Sequence, residues 1–248
     1  MPSSSQRPRA LHRPRKRFGQ HFLHDPRVLS HLISEINPAQ GDFFVEIGPG
    51  EGVLTDRLVD KVGKLEVIEI DRDLAARLQG VKVHQADALE FDYSVFPKGV
   101  RLVGNLPYNI STPLLFHLAR YADRVRDMHF MLQLEVVERM VAKPSTAAYG
   151  RLSVALQARF AMKKLFNVGK GAFRPPPKVE SAVVRLEPLA EPLDVNEEML
   201  RRAFSARRKT LKNALPGADF AAAGIDPRLR PENLSPADYA RLSMNSIL

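Results

Sequence analysis

The sequence predicts an α/β protein in which a doubly wound sheet precedes a small all-helical module. An apolar segment at residues 43–47 runs into three alternate glycines, and a second apolar run at 65–70 contains acidic residues at its end. After residues 188–192, which hold two prolines and no periodicity, an amphipathic basic segment begins. Strand, glycine turn, helix and strand in this order are typical of nucleoside-binding α/β domains. A chain of 248 residues can bury one large core and carry a small second domain.

Composition limits the possible functions. The 37 Lys and Arg exceed the 28 Asp and Glu, which gives a net charge of +9 and favours a polyanionic partner such as nucleic acid; a solubilising excess of charge is the alternative. The chain has no cysteine and its seven histidines lack H-x-x-x-H spacing, so we expect no disulfide and no metal site. No apolar run approaches the roughly 20 residues that span a bilayer. We expect a cytoplasmic protein without a membrane partner.

Residues 1–17 are predicted to form a flexible basic arm. They contain six Lys or Arg, no acidic residue and few hydrophobic residues, so they cannot bury enough surface to order themselves. Contact with RNA phosphates and a plain disordered tail remain equally open. The aromatic stretch at 18–23 then precedes a helix that is predicted to start at Asp25-Pro26 and to end at Asn37-Pro38.

The alternate glycines Gly48, Gly50 and Gly52 predict a close approach of the backbone to a ligand, followed by a sharp turn into a helix. Glu69 lies 17 residues after Gly52, near the roughly 20 expected for an acid that binds ribose hydroxyls. The pattern is G-P-G-x-G, and no Lys-Ser or Lys-Thr follows it as in a phosphate-binding loop. These features favour a nucleoside over a dinucleotide or a nucleoside triphosphate.

Polar side chains lie at the ends of the first four predicted strands. In a doubly wound sheet the ends of these strands line one crevice, where Glu46, Glu69, Asp87 and Asn105 would converge. For Asp87 alone, a helix N-cap is an equally good interpretation.

The fourth of these strands, an apolar run at 100–103, leads to Asn105-Leu106-Pro107-Tyr108. The Asn105 amide and the Leu106 carbonyl can each accept from an amino group, and the Tyr108 ring can stack on a flat heterocycle. The stretch therefore predicts a cradle for an adenine amine. Taken alone, a strand ended by proline with a satisfied Asn is as good an interpretation.

The rest of the chain predicts core elements and then a basic surface. Helices are expected from Ser111, at 135–141 and at 151–160, with a strand at 128–132 and a hairpin formed by 165–168 and 181–186. Residues 197–215 are amphipathic at helical spacing, and their outward face is basic. This face consists of Arg201, Arg202, Arg207, Arg208, Lys209 and Lys212. We favour RNA phosphates as its partner, and a solvated helix surface is the alternative.

Several stretches together resemble the motifs of the ribosomal RNA adenine dimethyltransferase family, and the likeness covers nearly everything after Arg17. These stretches are residues 46–52, 69–71, 87–89, 105–111, 149–154, 173–181 and 204–211. The stretch at 204–211, with the whole set, is most similar to the bacterial branch that acts on 16S rRNA. One residue departs from the pattern, since the family usually has Asn at the position of His21, in a loop thought to close over S-adenosylmethionine. The role of His21 is therefore open.

The resemblance implies a Rossmann-like class I S-adenosylmethionine-dependent methyltransferase domain at 18–187 and a small helical RNA-binding domain at 193–248. It implies transfer of methyl groups to the exocyclic amines of two adjacent adenosines in the 3′-terminal hairpin loop of 16S rRNA, within the small ribosomal subunit or its precursor. No apolar heptad stripe suggests pairing of chains, so we expect a monomer.

The resemblance also implies roles for single residues. The residues implied to bind the cofactor are Gln20, His21, Leu23, Glu46, Gly48, Gly50, Glu69, Ile70, Asp87, Ala88 and Asn105. The residues implied to act on the target are Asn105, Leu106, Pro107, Tyr108 and Phe173. Among these, Glu69 would accept from both ribose hydroxyls and Asp87 from the adenine amine of the cofactor. Tyr108 and Phe173 would stack on the extruded target base.

Three alternatives remain at this stage. A related enzyme class methylates an adenine of large-subunit rRNA and confers macrolide resistance, but the stretch at 204–211 argues against it. A DNA adenine methyltransferase would share the amine cradle, but no separate base-reading domain is evident. A non-catalytic assembly factor with a vestigial site is disfavoured, because all the residues expected of a working site are present: Gly48, Glu69, Asp87, Asn105 and Tyr108.

Overall fold

The computed structural model of the protein describes residues 20–245, so the predicted basic arm at 1–17 lies outside the described residues. The strands are β1 (Phe22–Leu23), β2 (Phe43–Ile47), β3 (Lys64–Ile68), β4 (Lys82–His84), β5 (Val100–Asn105), β6 (Val125–Gln133), β7 (Phe160–Val168), β8 (Phe173–Arg174) and β9 (Ser181–Pro188). The α-helices are α1 (Pro26–Ile36), α2 (Thr55–Leu58), α3 (Arg72–Ala75), α4 (Ser111–Ala119), α5 (Leu134–Met140), α6 (Arg151–Gln157), α7 (Glu197–Ser205), α8 (Leu211–Ala214) and α9 (Pro236–Met244).

Seven strands form one sheet in the order β4-β3-β2-β5-β6-β9-β7. Strands β2 to β6 pair in parallel, whereas β9 runs antiparallel to both β6 and β7. The strand order reverses at β2, which lies between β3 and β5, and a ligand crevice forms at such a switch point. The predicted doubly wound α/β fold is confirmed.

The parallel strands are apolar because both of their faces are covered. Alternate residues of β2 enter opposite cores: Val45 and Ile47 pack in the cluster that contains α4, while Phe44 packs in the cluster that contains α1. Helix α1 begins as predicted, because the Asp25 side chain accepts from the backbone nitrogens of Arg27 and Val28.

A buried arginine ties the end of α1 to the sheet. Arg101 on β5 donates to the carboxylates of Asp127 and Asp42 at 2.8 and 2.7 Å, and to the carbonyl of Ile36 at 2.6 Å. The Ile36 carbonyl is one of the groups that a helix end leaves without an intrahelical partner. The guanidinium therefore satisfies two buried acids and a helix terminus at once.

The hairpin predicted from 165–168 and 181–186 is confirmed as β7 and β9. The helix predicted at 151–160 is wrong at its end, because α6 stops at Gln157 and Phe160 already belongs to β7. Phe160 pairs with Pro188 and Met162 with Leu186, so pairing with β9 overrides the helical spacing of this stretch.

The amphipathic segment at 197–215 is broken into α7 and α8 by a turn at 206–210. The turn forms because the backbone nitrogen of Lys209 donates to the Ala206 carbonyl, and that of Leu211 donates to Leu229. Both helices pack in a third hydrophobic cluster, which also contains Tyr149 and Val154 of α6. The domain boundary at 188–192 stays a prediction.

Within residues 20–245, no helix is both long and apolar enough to cross a membrane.

Candidate active site

A cavity of about 300 Å³ lies where β2, β3 and β5 end. All eleven residues that the resemblance implied for cofactor binding line it, from Gln20 to Asn105, together with Leu106, Pro107 and Tyr108. Its volume is in the range of small-molecule sites. The strand ends therefore meet as the sequence predicted.

The glycine loop is packed under β1. Gly48 and Gly50 have positive φ angles of 66° and 57°, which favour glycine. A Cβ atom at Gly50 would lie 3.0 Å from the Phe22 ring, so only glycine lets β1 approach this closely. Gly52 does not line the cavity; its backbone nitrogen donates to the Pro49 carbonyl and closes the turn.

Glu69 is the acid that contacts the glycine loop. Its two carboxylate oxygens accept from the backbone nitrogens of Gly50 at 3.2 Å and Asp71 at 2.9 Å, and burial raises its pKa. Glu46 is also buried, and burial raises its pKa to about 8. Its carboxyl group accepts from the Thr55 hydroxyl at 2.6 Å, so it braces β2 against α2.

Asp87 lines the cavity, as the first interpretation predicted. The helix N-cap interpretation is wrong, because residues 88–90 form a turn and no helix begins there; the Asp87 Oδ1 accepts from the backbone nitrogen of Leu89 at 2.9 Å within this turn. On the same wall, the Ile70 side chain is 45% exposed, an unusual exposure for a large apolar residue. It offers an apolar surface on which a flat ring can pack.

Asn105 is held by the backbone at the N-terminal side of β1. Its Nδ2 donates to the His21 carbonyl at 2.8 Å, and its Oδ1 accepts no hydrogen bond from residues 20–245. The backbone nitrogen of Leu106 donates to the Met131 carbonyl at 3.1 Å, while the Leu106 carbonyl has no donor in the described part of the chain. Two carbonyl oxygens on consecutive residues are thus available to accept from an amine.

Tyr108 is fixed at its hydroxyl group. The hydroxyl is hydrogen-bonded to the Ser181 hydroxyl on β9 at 2.6 Å, and burial raises the tyrosine pKa. Sequence reasoning gave Ser181 no role, although it lies within the family-like stretch at 173–181. The Pro107 carbonyl accepts from the backbone nitrogen of Ile110 at 3.2 Å and closes the turn that carries Tyr108.

The prediction that Phe173 lies over the target base is corrected. Phe173 is only 2% exposed and does not line the cavity. It pairs with Leu23 across the two-stranded β1–β8 sheet and packs in the core with Val103 and Met131. The β1–β8 pairing turns the side chain inward, and this contact between distant segments is not readable from local sequence.

The predicted basic face is divided by its ion pairs. Arg201 and Arg202 both bind Glu198 on the same helix, and Arg207 binds Glu232 and the Ala147 carbonyl. The other three are exposed and form no ion pair within residues 20–245. These three, named here the free basic cluster, are Arg208, Lys209 and Lys212. No group of acids and histidines in the described part of the chain is arranged to hold a metal ion.

Comparison with known proteins decides the family. The sequence model described as "Ribosomal RNA adenine dimethylase" matches residues 11–246. The chain belongs to this family. It is an enzyme of the rRNA adenine dimethyltransferase class, which confirms the resemblance seen in the sequence.

Curated relatives cover almost the whole of this dimethylase. It is 55% identical to the Ribosomal RNA small subunit methyltransferase A of Aromatoleum aromaticum over 248 residues, which is 94% of each chain. It is 53% identical to the protein of the same name from Thiobacillus denitrificans, over 94% of this chain and 98% of the relative.

Solved structures place the fold among the class I methyltransferases. A dimethyladenosine transferase from Plasmodium falciparum superposes with a TM-score of 0.77 at 26% identity, over 90% of this chain and 96% of the other. The 23S rRNA methyltransferase ErmE superposes with a TM-score of 0.68, also at 26% identity, over 91% and 99%.

Proposed function

We propose that this dimethylase transfers methyl groups from S-adenosylmethionine to the exocyclic amines of two adjacent adenosines in the 3′-terminal hairpin loop of 16S rRNA. Its substrate is the small ribosomal subunit or a precursor, which it modifies as a monomer in the cytoplasm during ribosome biogenesis. The small-subunit name of relatives at 51–55% identity supports this substrate. The observation that carries the chemistry is the fixed Asn105 amide, whose oxygen, like the carbonyl oxygen of the next residue Leu106, accepts no hydrogen bond within residues 20–245.

The cavity residues fit the proposed cofactor. Glu69 can accept from ribose hydroxyls, Asp87 has a second carboxylate oxygen for an adenine amine, and Ile70 can pack on the purine ring. Gln20 and Leu23 line the same cavity and would contact the methionine part of the cofactor. When bound, S-adenosylmethionine supplies a methyl group that is already activated by the sulfonium charge.

The chain itself supplies orientation. An adenine amine is a weak nucleophile because its lone pair is delocalised into the ring. Hydrogen bonds from its two N–H groups to the Asn105 Oδ1 and the Leu106 carbonyl favour a tetrahedral nitrogen whose lone pair is directed away from the ring. Alignment of this kind can lower a barrier by about 7–11 kcal/mol in well-oriented systems.

The target base must leave its stack to reach these acceptors. Extrusion costs a few kcal/mol and least where the base is already unpaired, which suits a hairpin loop. The Tyr108 ring offers a stacking surface worth about 1–3 kcal/mol. The helical module at 193–248 would hold the RNA backbone through the free basic cluster, since phosphate contacts depend on charge rather than sequence.

The test is transfer of labelled methyl groups to purified subunits that lack the modification. We expect label in 16S rRNA at two adjacent adenosines, with a mass increase equal to four methyl groups. Label confined to large subunits would contradict this proposal and would favour a 23S rRNA methyltransferase activity, which is the activity that the name of ErmE states. Absence of label in either subunit, with S-adenosylmethionine still bound in calorimetry, would favour a non-catalytic assembly role.

A further inference from the structure

His21 lines the cavity and contacts three residues from other segments of the chain. Its backbone carbonyl accepts from Asn105 Nδ2 at 2.8 Å. Its ring Nδ1 lies 2.8 Å from the Pro175 carbonyl, and the ring centroid is 5.4 Å from that of Tyr108. We propose that His21 is a positioning residue for the target adenine, which sets both the Asn105 amide and the Tyr108 ring. This inference rests on the proposed function.

The His21 carbonyl determines which way the Asn105 amide faces. A side-chain amide has donors on nitrogen and an acceptor on oxygen, and a carbonyl can only accept. The reversed amide would place Oδ1 against the His21 carbonyl oxygen, with no hydrogen bond between two acceptors. Nδ2 therefore stays toward His21, and Oδ1 stays available for the target amine.

The His21 side chain holds this carbonyl in place. Because the Pro175 carbonyl is only an acceptor, Nδ1 must carry the hydrogen and donate it. The bond joins positions that are 154 residues apart, on the loop that follows β8. Pairing of β1 with β8 joins the same two segments, so the imidazole extends this contact by one residue toward the target site.

The imidazole also supports the Tyr108 ring. The two rings form a tilted contact, with centroids 5.4 Å apart and planes inclined by 30°, while Ser181 holds the tyrosine hydroxyl. Tyr108 is therefore restrained at its hydroxyl and by a neighbouring ring before any base arrives. Restraint of this kind reduces the entropy that binding of the base would otherwise cost.

This assignment differs from the role that the resemblance implied for position 21, which was contact with the cofactor. A cofactor contact predicts weaker binding of S-adenosylmethionine by a His21 variant. A positioning role predicts a lower turnover number on small subunits at saturating S-adenosylmethionine, with unchanged cofactor affinity. The two roles are therefore separated by a binding measurement and a rate measurement on the same variants.

Three substitutions divide the contributions of His21. His21→Phe keeps a ring beside Tyr108 but removes the donor to Pro175; His21→Asn keeps a short donor but removes the ring; His21→Ala removes both. His24→Ala is the matched control, because His24 is exposed, directly follows β1 and does not line the cavity. The measurements are the calorimetric dissociation constant for S-adenosylmethionine, the thermal unfolding midpoint, and kcat and KM on unmodified small subunits.

We expect His21→Ala to lower kcat at least tenfold, with the cofactor dissociation constant within twofold of wild type, and we expect intermediate values for the Phe and Asn variants. His24→Ala should match wild type in each measurement. A weaker cofactor affinity with unchanged kcat, or wild-type values throughout, would overturn the proposal. An equal loss of kcat in His24→Ala would also overturn it. So would a loss of kcat in His21→Ala that is accompanied by weaker cofactor binding and a lower unfolding midpoint, because these changes together indicate a disturbed fold. If the wild-type protein does not methylate small subunits, the proposed function itself is wrong, and this outcome is distinguishable from a His21 variant that behaves as wild type does.

Discussion

Glu69 Oε2 accepts from the backbone nitrogen of Gly50 at 3.2 Å, so the acid at the end of β3 contacts the glycine loop that follows β2. This places the acid proposed to bind the ribose against the loop that the proposed cofactor would approach. Glu69→Ala should weaken binding of S-adenosylmethionine by about 10- to 100-fold, since hydrogen bonds to a charged group contribute roughly 1.5–3 kcal/mol. Calorimetry on the folded variant measures the change.

Glu90→Gln is the control for Glu69, because Glu90 is an exposed acid three residues beyond Asp87. It should bind the cofactor as wild type does. Equal affinities for Glu69→Ala and wild type would remove Glu69 from the site.

Glu46 should make stability depend on pH. Burial raises its pKa from 4.5 to about 8, so between these values the unfolded chain loses a proton that the folded chain keeps. The free energy of unfolding therefore falls as pH rises through this window, by roughly 3–5 kcal/mol, and the loss is complete above the folded pKa. Glu46→Gln keeps an acceptor for Thr55 and should lack this decline. Urea unfolding of both proteins at pH 5, 7 and 9 gives the comparison, and parallel pH profiles would contradict the assignment.

Sequence reasoning predicted those features of the site that depend on the residue pattern within one short stretch of the chain. Apolar runs predict parallel strands, and the residue that follows each run must lie at the same sheet edge, so Glu69, Asp87 and Asn105 could be placed together without coordinates. The bend at each glycine is equally local, because the backbone conformation at Gly48 and Gly50 favours that residue.

The features that escaped prediction depend on contacts between distant segments. Phe173 is buried because β8 pairs with β1, and nothing near Phe173 in sequence specifies that partner. The helical spacing of residues 197–215 predicted that Arg207 belongs to the exposed basic face. In the structure Arg207 instead forms an ion pair with Glu232, which lies 25 residues further along the chain. Tertiary contacts of this kind override local propensity.

Asn105→Ala should abolish turnover and leave the fold intact. It removes one of the two acceptors for the target amine and the bond to the His21 carbonyl. We expect a loss of kcat of at least about 100-fold, in the range seen when one preorganised transition-state hydrogen bond is removed. Methyl transfer to small subunits measures it, with circular dichroism to check folding. Asn167→Ala, an exposed amide on β7, serves as the control. Near wild-type methylation by the Asn105 variant would exclude the role.

Arg101→Met should destabilise the protein by about 3–5 kcal/mol, because it leaves Asp127 and Asp42 as buried acids that lack their main partner. Arg126→Met is a matched control: Arg126 also binds Asp42, at 2.9 Å, but its side chain is 62% exposed. It should cost less than about 1 kcal/mol. Denaturant unfolding compares the two, and equal losses would show that burial of Arg101 does not set its contribution.

The free basic cluster should govern RNA affinity without affecting the cofactor. Arg208→Glu combined with Lys212→Glu is preferred to reversal of Arg207, because Arg207 holds Glu232 and its loss would disturb the helical module. Each lost phosphate contact should lower the slope of log affinity against log salt by about 1 and weaken binding uniformly. Filter binding to small subunits over a salt series measures this, with Lys98→Glu, an exposed cation paired only loosely with Asp123, as the control. An unchanged slope together with unchanged affinity would remove the cluster from the RNA interface, and a change in S-adenosylmethionine affinity would indicate a disturbed fold instead.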